Sequence, residues 1–161
     1  MGDSRKVLFL CTGNACRSQM AEAILRYLGG SAFEAYSAGS HPAGFVHELA
    51  IEAMRRLDIP MEEGKHTSKS WEAFKDRPID LLITVCAAAA REVCPVWPQE
   101  ALQANWPLPD PVGHLGTDDE RIEFAVRVGQ RLITKIQGLI DLDFSADAAE
   151  LEKRLEFLGD I

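Results

Sequence analysis

The sequence predicts an α/β domain, a parallel sheet flanked by helices on both faces. Three observations lead there. Val7–Leu10 is uniformly apolar, as expected of a strand covered on both sides, and Ile79–Val85 is a further apolar strand. Helical periodicities separate such runs, and strands alternating with helices build parallel sheets. With 161 residues and 47% hydrophobic content, the chain can fill one domain core and not two.

The elements follow in order. Val7–Leu10 is the first strand. Ser18–Leu28 is a helix with Met20, Ile24 and Leu28 on one face, closed by Gly29-Gly30. Phe33–Ser37 is a second strand ending at Ala38-Gly39. Val46–Leu57 is a second helix, with Val46, Ala50, Met54 and Leu57 along one side. Ser68–Lys75 reads as a short helix capped by Ser68 or Ser70. Ile79–Val85 is a third strand ending at Cys86, and the four alanines from Ala87 to Ala90 start a further helix. Asp118–Leu142 is a long helix with Ile122, Val126, Leu132, Ile136, Leu139 and Ile140 inward. Beyond it, Leu151, Leu155 and Leu158 form an apolar line that suits a docked helix or a partner surface. The chain thus divides into a domain over 1–142 and a C-terminal helical extension over 143–161.

The loop between the first strand and first helix carries the chemistry. It reads Cys11-Thr12-Gly13-Asn14-Ala15-Cys16-Arg17-Ser18. A buried strand, a tight loop and a helix start converge backbone N–H groups on one point, where the helix dipole adds positive character. Gly13 and Asn14 tolerate the backbone this needs. Arg17 supplies a planar fork for two oxygens of a tetrahedral oxyanion. Cys11 is placed where its neighbours favour the thiolate, the nucleophilic form, and Ser18 can donate to its sulfur. Thr12, Gly13, Asn14, Ala15 and Cys16 complete the oxyanion-binding loop. The Gly-Lys-Ser/Thr ending of a nucleotide phosphate loop is absent. A leaving oxygen departs more readily when protonated, and Asp110, held between Pro109 and Pro111, is the candidate acid.

Composition narrows the function further. The net charge is −8, and the seven acids from Asp141 onward, set against Lys153 and Arg154, account for five of those charges. No basic face offers itself to nucleic acid. No apolar run approaches the roughly 18–20 residues of a membrane span. Residues 1–6 carry no signal-peptide pattern, so a cytoplasmic location is expected. In that reducing compartment four cysteines read as catalytic or redox-active. The spacings Cys11-x4-Cys16 and Cys86-x7-Cys94 match no zinc pattern, and no metal or other cofactor is expected. His41, His47, His66 and His114, without paired acids, read as surface or capping residues. Trp71, Trp97 and Trp106 read as packing residues.

The stretch from Cys11 to Glu22, with Tyr36-Ser37-Ala38-Gly39, His66-Thr67-Ser68 and Asp110-Pro111, resembles the low-molecular-weight tyrosine phosphatases. More closely it is similar to the thioredoxin-coupled arsenate reductases built on their fold. Gln19 stands where the phosphatases carry proline and Val112 where they carry an aromatic residue, while Cys86 and Cys94 match the reductases' added cysteine pair. The resemblance implies a four-stranded sheet and reduction of arsenate to arsenite by a thiol relay. In that relay Cys11 attacks arsenate and Asp110 protonates the departing oxygen. Cys86 then attacks Cys11 as arsenite leaves, and Cys94 attacks Cys86. Thioredoxin, or glutaredoxin with glutathione, reduces the final disulfide. Some relatives hold a potassium ion beside the loop with an acid at the position of Lys69 and residues matching Asn14, Glu22 and Ser37. Here the lysine ammonium replaces the cation. Two readings stand beside this one: a tyrosine phosphatase working through a Cys11 phosphocysteine, and a non-catalytic oxyanion or redox-sensing module.

One expectation concerns motion. If Ala87–Val93 is helical, Cys86 and Cys94 lie about 12 Å apart along the axis, whereas a disulfide needs Cα atoms within about 7 Å. The segment would then unwind as the pair oxidises.

Overall fold

A computed structural model describes residues 4–61, 66–85 and 100–161. The helix expected over Ala87–Val93, and with it Cys86 and Cys94, lies outside the described residues. Four strands, β1 (Arg5–Cys11), β2 (Phe33–Gly39), β3 (Leu81–Thr84) and β4 (Leu102–Asn105), form one sheet in the order β2-β1-β3-β4. All three pairings are parallel. The helices are α1 (Arg17–Gly29), α2 (Glu48–Arg56), α3 (Asp118–Ile140) and α4 (Ala148–Gly159).

β1 runs through the centre and explains its own composition. Val7, Phe9 and Cys11 face a core shared with Met20 and Ile24 of α1, Met54 of α2, and Leu132 and Ile136 of α3. Leu8 and Leu10 face a smaller core with Ala38, Phe74 and Leu82, covered by the 3-10 turn Trp71–Phe74. Both sides of the strand are buried, so both are apolar. Each fully buried side chain of this kind contributes about 1.5–3 kcal/mol relative to exposure.

Several boundaries differ from the sequence reading for local reasons. The helix expected from Val46 starts at Glu48, because the His47 ring nitrogen Nδ1 accepts the Leu49 N–H at 3.0 Å and caps it. The helix expected over Ser68–Lys75 shrinks to the turn Trp71–Phe74, capped by Ser70, which accepts the Glu72 N–H at 3.2 Å. Ser68 is spent on the Cys11 loop instead. The long helix α3 begins as read, with a capping box in which Thr117 and Glu120 each accept the other's backbone N–H. The fourth strand that the resemblance implies is β4, at a place the residue pattern did not mark. Leu102-Gln103-Ala104-Asn105 has neither an apolar run nor strong strand formers, and α4 holds its outer edge.

Candidate active site

Cys11 ends β1, and the loop it opens is shaped from outside. The carbonyls of Cys11, Thr12, Gly13 and Ala15 accept the N–H groups of Ser40, His41, Ala43 and His47, at 3.3, 2.8, 2.8 and 2.8 Å. With its carbonyls drawn outward, the loop turns its N–H groups toward the cradle. Helix α1 completes the arrangement. α2, α3 and α4 each begin with a side-chain cap, whereas α1 begins without one, an arrangement that lets a helix N-terminus receive an anion. Gly39 lets β2 come this close, since a Cβ there would lie 2.6 Å from the Thr12 carbonyl oxygen.

Two donors address the Cys11 sulfur. The Asn14 N–H lies at 3.2 Å and the Ser18 hydroxyl at 2.9 Å. Asn14 Nδ2 donates to the same hydroxyl oxygen at 2.8 Å, and toward a Cys11 thiolate the hydroxyl is the donor. Asn14 holds a left-handed backbone, with φ of 47°. Its side-chain oxygen accepts the Lys69 N–H at 2.9 Å and Gln19 Nε2 at 3.1 Å. Gln19 Nε2 also reaches the Asn14 and Thr67 carbonyls, both at 3.0 Å. Ser68 Oγ donates to the Gly13 carbonyl at 3.1 Å. Sequence reasoning missed Gln19 and Ser68 as loop supports. A buried glutamine beside an irregular, functional loop is the signal that could have found the first.

Beneath the loop lies a buried carboxylate, Glu22. It accepts the Ser37 hydroxyl at 2.5 Å and Arg26 Nη2 at 2.9 Å, and His66 Nδ1 stands 3.5 Å away. His66, its side chain only 6% exposed, is therefore not the surface residue the sequence suggested. Its acid lies 44 positions away along the chain, where no local pattern could show it. Burial pushes the Lys69 ammonium down while Glu22 pulls it up, and Lys69 Nζ donates to the Thr67 carbonyl at 2.6 Å. Two cationic side chains and two further groups already surround this carboxylate. The donor set does not fit a potassium ion.

Arg17 and Asp110 face each other across the mouth. Arg17 Nη1 donates to the Leu108 carbonyl at 3.0 Å, and its Nη2 lies 3.9 Å from Asp110 Oδ1. The Asp110 turn is stiffened by the Val112 N–H, which donates to Oδ1 at 2.9 Å, and by Arg121, which donates to the Val112 carbonyl at 2.9 Å. A pocket of about 280 Å³ brings together Cys11, Arg17 and Asp110 with Thr12, Gly13, Ala15 and Cys16 of the loop; Phe45 and His47 also line it. Ser18 and Asn14 are buried behind the loop. Cys16 is pushed up to about 12, chiefly by burial and then by Asp110, with Arg17 opposing. It stays a thiol at neutral pH. A larger cleft of about 990 Å³ lies at the opposite ends of the strands, near Arg5, Asp80 and Leu102, and holds none of the predicted site residues. Among the described residues no cluster of His, Cys, Asp and Glu could hold a metal ion.

The comparisons with known proteins agree with this geometry. The family model of the low molecular weight phosphotyrosine protein phosphatases matches residues 6–154. The chain is 38% identical over 130 residues to arsenate reductase 2 of Staphylococcus saprophyticus, covering 81% of this chain and 95% of that protein. Among solved structures it is similar to an arsenate reductase in the phosphate binding state, with a TM-score of 0.67, 30% identity, and 84% and 96% of the two chains covered. It is also similar to a thioredoxin-dependent arsenate reductase of Corynebacterium glutamicum, with a TM-score of 0.60, 30% identity, and 84% and 63% covered.

Proposed function

The chain belongs to the low molecular weight phosphotyrosine protein phosphatase family, and from that premise we propose that it is an arsenate reductase. The observation that carries this reading is the shared pocket of Cys11, Arg17 and Asp110, with two donors aimed at the sulfur. Arsenate is a tetrahedral oxyanion. Loop N–H groups and the Arg17 fork hold it as the charge-assisted donors they are.

The relay balances step by step. The Cys11 thiolate forms a sulfur–arsenic bond, an arsenic–oxygen bond breaks, and Asp110 supplies the proton with which that oxygen leaves as water. The Cys86 thiolate then attacks the Cys11 sulfur. The new sulfur–sulfur bond forms as the sulfur–arsenic bond breaks, its electron pair stays on arsenic, and As(V) departs as As(III) in arsenite. Cys94 attacks Cys86, freeing Cys11 and leaving a Cys86–Cys94 disulfide. A dithiol reductant returns that disulfide to two thiols. The similarity to a thioredoxin-dependent enzyme favours thioredoxin over glutaredoxin with glutathione in this role. In this scheme residues 1–142 form the catalytic unit and 143–161 an extension to it. The enzyme works in the cytoplasm, the reducing compartment that a thiol relay and its thioredoxin partner require; among the described residues no helix is long and apolar enough to cross a membrane.

The family's phosphatase chemistry is the second reading, since phosphate is tetrahedral too and Cys11 could form a phosphocysteine. One pair of assays separates the two. Arsenite release that requires thioredoxin, thioredoxin reductase and NADPH supports the relay. Release of phosphate from an aryl phosphate without any reductant, and no arsenite from arsenate, would replace it.

A further inference from the structure

We propose that the C-terminal helix α4 is a positioning element for the acid-bearing loop, acting through Trp106. The inference rests on the assignment of Asp110 as the acid of the arsenate reaction.

β4 is an outer strand, and α4 takes the place of the next one. The Gln103 and Asn105 N–H groups, on the free edge, donate to Glu152 Oε2 at 3.2 Å and Glu156 Oε1 at 2.6 Å. Alternate strand residues lie about 6.7 Å apart and helix positions four apart rise about 6 Å, so two carboxylates on one helix face match two edge donors. An edge that would otherwise invite pairing with another chain is closed. At the end of the helix the seating becomes tighter. A Cβ on Gly159 would lie 2.8 Å from the Asn105 carbonyl oxygen and 2.9 Å from Trp106 Cδ1. Trp106, fully buried, donates its indole N–H to the Leu155 carbonyl at 2.8 Å and its backbone N–H to Thr84 at 2.7 Å.

The helix is itself anchored. Lys135 of α3 is buried, and its ammonium donates to the carbonyls of Leu158, Gly159 and Ile161 at 3.1, 3.1 and 2.6 Å. Leu158 and Gly159 close the last turn of the helix and Ile161 follows it, so the cation sits at the negative end of the helix dipole.

From Trp106 the chain reads Pro107-Leu108-Pro109-Asp110-Pro111. Each proline fixes its own φ and restricts the residue before it, so few free torsions separate the indole from the carboxylate. Leu108, midway, is the residue whose carbonyl receives Arg17. A shift of α4 against Trp106 therefore displaces Asp110 relative to Arg17 and the loop. Misplacements of about 1 Å in such sites can cost on the order of a hundredfold in rate.

The test is a double-mutant cycle on single-turnover arsenite release from the full chain. Gly159→Ala should push α4 from the strand and slow the reaction roughly tenfold or more. In an Asp110→Asn background, where there is no acid left to misplace, the same substitution should slow it less than about twofold. Helical circular dichroism unchanged in all variants would show that the fold is kept. Equal losses in both backgrounds, or no loss in either, would overturn the inference. Should Gly159→Ala not fold, Trp106→Phe, which keeps the ring and removes the indole donor, runs the same cycle under the same criterion. A wild-type protein that releases no arsenite would overturn the functional reading instead.

Discussion

Asn14 and Cys11 share the Ser18 hydroxyl. The Asn14 amide donates to its oxygen at 2.8 Å, and toward a Cys11 thiolate, which has no proton to give, the hydroxyl 2.9 Å away is the donor. Cys11 therefore meets two donors, this hydroxyl and the Asn14 N–H. A thiolate accepts both, whereas a thiol must spend its own proton elsewhere.

Ser18→Ala removes one of these donors and leaves Asn14 Nδ2 without its acceptor. Arsenate binding, which uses the loop N–H groups and Arg17, should change little. The rate of the first step should fall on the order of tenfold to a hundredfold. Single-turnover arsenite release against arsenate concentration separates the two effects, and a raised KM at unchanged rate would contradict this role.

Cys11→Ser should abolish arsenate reduction, since a serine hydroxyl does not ionise near neutral pH and cannot form the first disulfide. Arg17→Lys should weaken oxyanion binding severely, because a point charge cannot reproduce the fork that also holds the Leu108 carbonyl. Isothermal titration with inorganic arsenate checks the second, and near-normal affinity would argue against the fork.

What the sequence made legible follows from how local each feature is. The loop from Cys11 to Ser18 could be read because strand, loop and helix start are consecutive, and the proposed nucleophile, fork and donor fall within eight positions. β1 and β3 could be read because both their faces are buried. β4 could not, because its stability comes from Glu152 and Glu156 some 50 positions later. The pairing of His66 with Glu22, and the service of Ser68 to the Gly13 carbonyl 55 positions away, are tertiary in the same sense. Lys135 was missed for another reason: a lysine in a helix reads as solvated, and only the carbonyls at the end of α4 make its burial tolerable.

Cys16 gives the protein an alkaline limit. Burial and Asp110 push its thiol up to about 12, from an ordinary 9.0. The unfolded chain thus loses this proton first, so the stability that the neutral thiol contributes is complete below pH 9 and falls away between pH 9 and about 12. Cys16→Ala should make the decline of urea midpoints over that window shallower. At pH 8 iodoacetamide should modify Cys11 well before Cys16, as peptide mass spectrometry would record. Equal labelling of the two would show that Cys16 is not held as a buried thiol.

The cations around Glu22 make a second kind of prediction. With Arg26 at 2.9 Å and the Lys69 ammonium in its field, this carboxylate needs no external ion. Activity and melting temperature should be the same in potassium chloride and in tetramethylammonium chloride at equal ionic strength. A potassium-specific rise in the wild-type protein would show that the site accepts the ion despite its occupied donors. Lys69→Ala removes one of the two cations and should lower the melting temperature in both salts.

Cys94→Ala should separate chemistry from turnover. With Cys11 and Cys86 intact, the attack on arsenate and the transfer of two electrons to arsenic both proceed, and one arsenite leaves per enzyme. The protein then rests as the Cys11–Cys86 disulfide, because the thiol that would free Cys11 is gone. Rapid-quench arsenic speciation should show a burst equal to the enzyme concentration and no steady state with thioredoxin. Mass spectrometry after thiol alkylation should find Cys16 as the cysteine outside the disulfide. Buried and kept protonated, Cys16 cannot take over from Cys94. Full multi-turnover rates in this variant would mean that the reductant attacks the first disulfide directly, and the Cys86–Cys94 step would drop out of the scheme while the chemistry at Cys11 stands.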